Sequence, residues 1–175
     1  MVTTEPVPTG NTYDKYASTN PIEQRMMRGF FAAFDAMLDA ASASGTPQRI
    51  LEIGVGEGIV TTRVIERFPS ASVLGLALPD DELAENWKTH DLSCVFGDAT
   101  TLPFPNASFD LVLAIEVFAH LGDTAGALHD LHRVCSGSLI ASVPFEPIWR
   151  AGNMARGRYW RELGNTPGHI NHWTN

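Results

Sequence analysis

Three glycines alternate with single residues in Gly54-Val55-Gly56-Glu57-Gly58, directly after the run Ile50-Leu51-Glu52-Ile53. Glycine lacks a Cβ, so such a turn can take positive φ and let a ligand lie against bare amides at a helix N-terminus. The spacing G-x-G-x-G misses the dinucleotide fingerprint G-x-G-x-x-G by one residue. Glu52 points away from a diphosphate too, because its carboxylate repels phosphate and attracts a cation such as an amino acid's ammonium. A second group could move protons. Imidazole suits that work at neutral pH, and His169 and His120 are the candidate bases, with His169 preferred. His120, before Leu121-Gly122-Asp123, can equally pin a loop. A third group could hold an anion: Arg150, Arg156, Arg158 and Arg161 fall within twelve residues of an otherwise acidic chain. Guanidinium grips phosphate or carboxylate through paired hydrogen bonds, although a solvated helix face explains the run as well. A polar loop from Gly164 to Trp173 adds His172 and an indole.

These residues need a frame. Ile50–Ile53 reads as a strand and Ile59–Phe68 as a helix with Val60, Val64, Ile65 and Phe68 on one face. Ile22, Met26, Phe30, Phe34, Met37 and Leu38 recur at helical spacing within an N-terminal helix over 20–43, which Gly45 and Pro47 end. That stripe is expected in the core. Ala71–Leu78 and Leu92–Phe96 read as strands two and three, with Asp80-Asp81 capping a short helix between them. Asp110–Ile115 has the apolar continuity of a strand buried on both faces. Asp123 caps a helix over Thr124–Val134, and Leu139–Val143 is strand five. Pro147–Leu163 is expected to be helical, with Ile148, Ala151, Ala155 and Tyr159 on one face. The alternation of strands and helices predicts an α/β, Rossmann-like, doubly wound and mainly parallel sheet with flanking helices. Ligands then gather at the strand C-termini.

Residues 1–12 read as a flexible arm and 13–175 as a single domain, with 144–175 on the substrate side. The chain has 175 residues, a hydrophobic fraction of 44% and a net charge of −8, the balance of a soluble globular protein. That charge disfavours nucleic acid or an anionic membrane as partner. No apolar run reaches transmembrane length and Met1–Gly10 has no signal-peptide core, so the expected location is cytoplasmic. Cys94 and Cys135 are expected to be buried free thiols.

Leu51–Gly58 resembles motif I of the class I S-adenosylmethionine (SAM) dependent methyltransferases. Gly97-Asp98-Ala99 is similar to the motif whose aspartate meets adenine, and Leu102-Pro103-Phe104-Pro105-Asn106-Ala107-Ser108-Phe109-Asp110-Leu111-Val112 resembles a further family stretch. The likeness spans roughly Tyr13–Val143 and is nearest the group acting on small molecules, which includes ubiquinone and menaquinone pathway enzymes. It implies SAM as cofactor, giving S-adenosylhomocysteine (SAH), and methyl transfer to the oxygen or nitrogen of a small acceptor. It places Glu52, Gly54 and Gly56 at the amino-acid end of SAM, Asp98 and Ala99 at the adenine, and Ile115 and Tyr13 beside the ligand. Arg150, Arg158, His172 and Trp173 are then acceptor-binding candidates, for an acceptor carrying phosphate or carboxylate.

Three departures qualify the likeness. Ala77 stands where the family has an acid for the ribose hydroxyls, an acceptor worth about 1.5–3 kcal/mol. Some quinone-pathway relatives bind a divalent metal through Glu-x-x-Glu-His; Glu116-Val117-Phe118-Ala119-His120 lacks the second carboxylate, so no metal is expected. The family fold continues past strand five with a helix and antiparallel strands. None is readable after Val143, so the expectation is a truncated fold or an open sheet edge that pairs with a second copy. A non-catalytic subunit of the same fold is the alternative reading. A nicotinamide-dependent oxidoreductase and a nucleic-acid methyltransferase are less favoured.

Overall fold

The apolar run around Leu51 becomes the middle strand of the sheet. A computed structural model describes residues 20–155, 159–166 and 169–173. β1 (Arg49–Ile53) pairs in parallel with β2 (Ser72–Ala77) on one side and β4 (Phe109–Ile115) on the other, so Leu51 lies between Leu74 and Val112. β3 (Cys94–Phe96) flanks β2 and β5 (Cys135–Ser142) flanks β4, giving the order β3-β2-β1-β4-β5, all parallel. The predicted architecture is therefore observed.

Alternation along each strand sends side chains to two helical layers. On one face Ile50, Leu111, Leu113 and Ile140 meet α1 (Pro21–Ala41) through Phe34 and Leu38, and α2 (Ile59–Arg67) through Val60 and Val64. On the other, Leu51, Ile53, Val112 and Ala114 meet α4 (Thr124–Val134) through Ala127, Leu131 and Val134. Leu111 to Ala114 are all 0% exposed, which is why that stretch carries no polar alternation. The Asp110 carboxylate accepts from the Gln48 and Arg49 amides and anchors the entrance of β1.

Caps fall where the sequence puts them. Asp80 Oδ1 accepts from the Glu82 and Leu83 amides at the start of α3 (Asp81–Thr89), and Asp123 Oδ1 from Gly126 at the start of α4. Several boundaries differ. β3 starts at Cys94 because Leu92 is spent closing α3, its amide donating to Trp87 O. β5 starts at Cys135, directly on the end of α4; Ser136 and Gly137 are exposed, and their polarity hides an edge strand. On α2, Ile65 is exposed while Val60 and Val64 are buried, as is Phe68 at its C-cap. Cys94 and Cys135 are free but only half-buried.

The C-terminal helix differs most. α5 is Glu146–Ala155, and Tyr159 and Leu163 take positive φ in a turn rather than continuing the helix. Its expected apolar face is inverted. Ile148 is 66% exposed, whereas Glu146 and Asn153 are 2% exposed. Residues 156–158, with Arg156 and Arg158, lie outside the described residues, as do 1–19, with the arm and Tyr13.

Candidate functional site

A cavity of about 640 Å³ opens along the C-terminal ends of β1, β2, β4 and β5, the edge at which doubly wound sheets bind ligands. The glycine turn forms its floor. Gly54, Gly56 and Gly58 all have positive φ (75°, 54° and 83°), the left-handed region in which an L side chain is strained. A Cβ at position 54 would also stand 2.5 Å from Val117 Cγ2. The Gly54 amide donates to Leu76 O at 2.7 Å, and Trp87 Nε1 donates to Gly56 O at 2.8 Å. The turn is thus clamped by β2 and α3 and delivers the chain to α2, whose N-cap, Gly58, has no side chain to cap it. Amides left in that way suit an anionic or polar ligand group.

Glu52 lies beneath the turn, lining the cavity at only 2% exposure. Its Oε2 accepts the Thr61 hydroxyl hydrogen at 2.6 Å. Burial pushes its carboxyl up to about 8, against the opposing pull of that hydrogen bond. Burial, with the Glu52 charge adding to it, pushes the nearby Cys94 thiol up to about 11. A buried carboxylate without a cation is costly, so a ligand ammonium would find a partner held ready here.

At the end of β2, Ala77, Leu78 and Leu83 make an apolar wall. Asp80 is committed to capping α3, so it does not replace the acid absent at Ala77. Asp98 and Ala99 line the cavity after β3, with Asp98 Oδ1 accepting from the amide and hydroxyl of Thr100. Ile115 lines it at the end of β4. Next to Ile115, Glu116 takes φ 61° and its Oε1 accepts the Ser142 hydroxyl hydrogen at 2.7 Å.

The opposite wall comes from the N-terminal helix, including residues of the stripe expected in the core. Glu23, Met26, Met27 and Phe30 of α1 face the cavity at i, i+3, i+4, i+7 spacing. Of the expected core stripe from Met26 on, only Phe34 and Leu38 are buried in the core, and Met37 is 41% exposed. Phe145 and Trp149 add aromatic surface from α5 and the residue before it.

His120 reaches the wall from the 3-10 turn Phe118–His120 that follows β4. His169 does not line the cavity. Its side chain is 7% exposed and stands behind His120, ring centroids 4.9 Å apart and planes at 80°. His169 Nδ1 lies 3.0 Å from Glu146 Oε1, and His172 Nδ1 lies 3.7 Å from the same oxygen. His172 and Trp173 are outside the cavity lining. Trp173 bridges Phe145, its carbonyl accepting from the Glu146 amide. Arg150 is outside it as well, with Nε donating to Leu163 O at 3.0 Å. The described lining contains no lysine or arginine. Among the described residues no group of three or more His, Cys, Asp or Glu is placed to hold a metal ion, and no helix is long and apolar enough to cross a membrane.

Known proteins agree with this geometry. The model of the family described as "Methyltransferase domain" matches residues 51–140. An uncharacterized methyltransferase of Mycobacterium tuberculosis strain H37Rv is 32% identical over 114 residues, covering 64% of this chain and 57% of its own length. The demethylmenaquinone methyltransferase of Thermus thermophilus is 33% identical over 107 residues, covering 58% and 49%. The chain thus spans about half the length of these relatives. The crystal structure of the plantazolicin methyltransferase BpumL, in complex with a triazolic desmethyl analogue and SAH, superposes with a TM-score of 0.65 at 16% identity. It covers 83% of this chain and 62% of BpumL. With the family model matching more than half of its residues, from β1 and the glycine turn into β5, this chain belongs to the methyltransferase-domain family.

Proposed function

We propose that the protein transfers a methyl group from SAM to the oxygen or nitrogen of a small acceptor. The observation that carries this reading is the glycine turn, with buried Glu52 beneath it, at the floor of an open cavity on the sheet's C-terminal edge. The donor set fits a ligand with an ammonium at one end and an apolar base at the other: the Glu52 carboxylate suits the first, and the Leu78 and Leu83 wall the second. Ala77 is the poor fit, since it leaves the ribose hydroxyls without an acid. When bound, SAM supplies a methyl already activated by its sulfonium. The chain's own residues then align the acceptor and take its proton. His120 is the base of this reading because it lines the cavity, with His169 acting behind it. Met26, Phe30, Phe145 and Trp149 suit an acceptor with an apolar body. A phosphate or carboxylate on that acceptor, the expectation attached to Arg150 and Arg158, is not supported by Arg150, whose guanidinium is engaged on backbone.

Calorimetric titration with SAH, with NADH as control, tests the cofactor. Micromolar binding of SAH alone is expected; no binding overturns the reading. The acceptor is sought by following SAH formation with phenols and amines of matched shape. We further propose that the outer edge of β5, which has only β4 as a strand neighbour among the described residues, pairs two copies. Sedimentation that stays monomeric from micromolar to millimolar protein refutes that pairing.

A further inference from the structure

Glu146 carries no motif, yet it is 2% exposed and, among the described residues, its Oε2 has no hydrogen-bond partner. A buried carboxyl group is expensive unless something requires it. The partner of its other oxygen is His169 Nδ1 at 3.0 Å, with side-chain exposures of 3% and 7% for the pair. An imidazole whose Nδ1–H donates to a fixed carboxylate has its tautomer and ring plane set. The edge-to-face contact of that ring with His120 passes the constraint to the one histidine of the cluster that lines the cavity. The segment carrying His169 is itself tied down. The Ile170 amide donates to Ala119 O at 2.9 Å, and Asn171 Nδ2 donates to Phe118 O at 2.9 Å and Leu121 O at 2.6 Å. These bonds grip the backbone on both sides of His120. At the other end, the Glu146 amide donates to Trp173 O.

We infer that Glu146 and His169 form a positioning pair for His120, and that the base site is assembled when residues 169–173 dock on the turn after β4. The inference rests on the reading of His120 as the base. Glu146 accepts a hydrogen bond from His169 Nδ1–H, which keeps its proton, and touches no reacting atom. His169 fixes the His120 ring, and His120 takes the acceptor's proton. No proton passes from His120 to His169, since the two are joined by ring contact and not by a hydrogen bond.

The test uses the full chain labelled with ¹⁵N-histidine, its ring nitrogens read by long-range ¹H–¹⁵N correlation with and without SAH. Variants are Glu146→Gln, Glu146→Asp and His172→Ala. The wild type is expected to carry a proton on His169 Nδ1 and to show one ordered His120 ring. Glu146→Gln should change both His169 and His120 signals, while thermal midpoint and SAH affinity stay close to wild type, the latter within about twofold. Glu146→Asp should restore the His120 signal in part, and His172→Ala should leave it unmoved. A His120 signal unchanged in Glu146→Gln, or a bare His169 Nδ1 in the wild type, overturns the inference. So does loss of SAH binding in Glu146→Gln, which would make the carboxyl a structural clip for the fold. Failure of SAH to bind the wild type refutes the proposed function instead, because the ring spectra are read without it.

Discussion

Ala77 and Glu52 lie on neighbouring strands of one cavity and pull on a ligand in opposite ways. At Ala77 the wall is apolar and 8% exposed, so two ligand hydroxyls at this place would lose water without gaining a charged acceptor. Ala77→Asp is expected to tighten SAH binding about tenfold, read by titration. An unchanged affinity would mean that the ribose does not lie beside the end of β2. Glu52 works the other way. Its acidity is suppressed by burial, and a cationic group docking on it favours the ionised form. SAH binding near pH 7 is therefore expected to release protons. Titration in two buffers of different ionisation heat measures the release, and Glu52→Gln should abolish it. Position 54 needs no such test to explain its residue, since positive φ and the nearness of Val117 leave room for glycine alone.

At the scale of elements, the site is held by backbone anchors that act at a distance from it. Trp87 spans from α3 to the Gly56 carbonyl. Arg133 on α4 donates to Phe104 O and Leu102 O and pairs with Asp130, holding the loop before β4. Asn171 does the same for the turn that carries His120. Asn171→Ala removes two donors from carbonyls that then depend on water, a loss of about 1–2 kcal/mol. It should speed hydrogen exchange in residues 169–173 while β1 and β4 amides keep their protection. Equal loss of protection across the sheet would mean that the segment is part of the global folding unit.

For the whole molecule, Glu52 also sets a pH dependence of stability. Its carboxyl rises from 4.5 to about 8 on folding, so between those values the folded state binds more protons than the unfolded one. Stability is therefore lost as pH rises through that window, by roughly 4 kcal/mol as an upper bound. Denaturant unfolding at pH 5 and pH 8 should show the decline in the wild type, and Glu52→Gln should lack this part of it. Parallel curves for the two proteins would place the linked proton elsewhere.

Local rules reached far in this chain. The sheet, the glycine turn, the caps at Asp80 and Asp123 and the anchor at Asp110 follow from patterns within a few residues, because backbone geometry and caps are decided by near neighbours. Ala77 at the end of β2 followed from the same register. Burial by distant partners is different, and those readings changed. Periodicity shows that Met26 and Phe30 share a face with Phe34, but only the packing of α1 across the sheet decides that the first two meet a cavity and the third meets the core. The polarity of Ser136 and Gly137, both exposed, hid the start of a strand at the end of the sheet. In α5 the sequence shows Ile148 on an apolar stripe, yet the Gly164 carbonyl and the His169 imidazole meet Asn153 and Glu146, which are buried instead. Glu146 gave no signal in one dimension, since the histidine that justifies its burial lies 23 residues away. Sequence alone determined the frame, the ligand edge and the lining at the strand ends, such as Glu52 and Asp98; the tertiary structure alone decided which side chains of α1 and α5 close the cavity, because that depends on surfaces brought together from far along the chain.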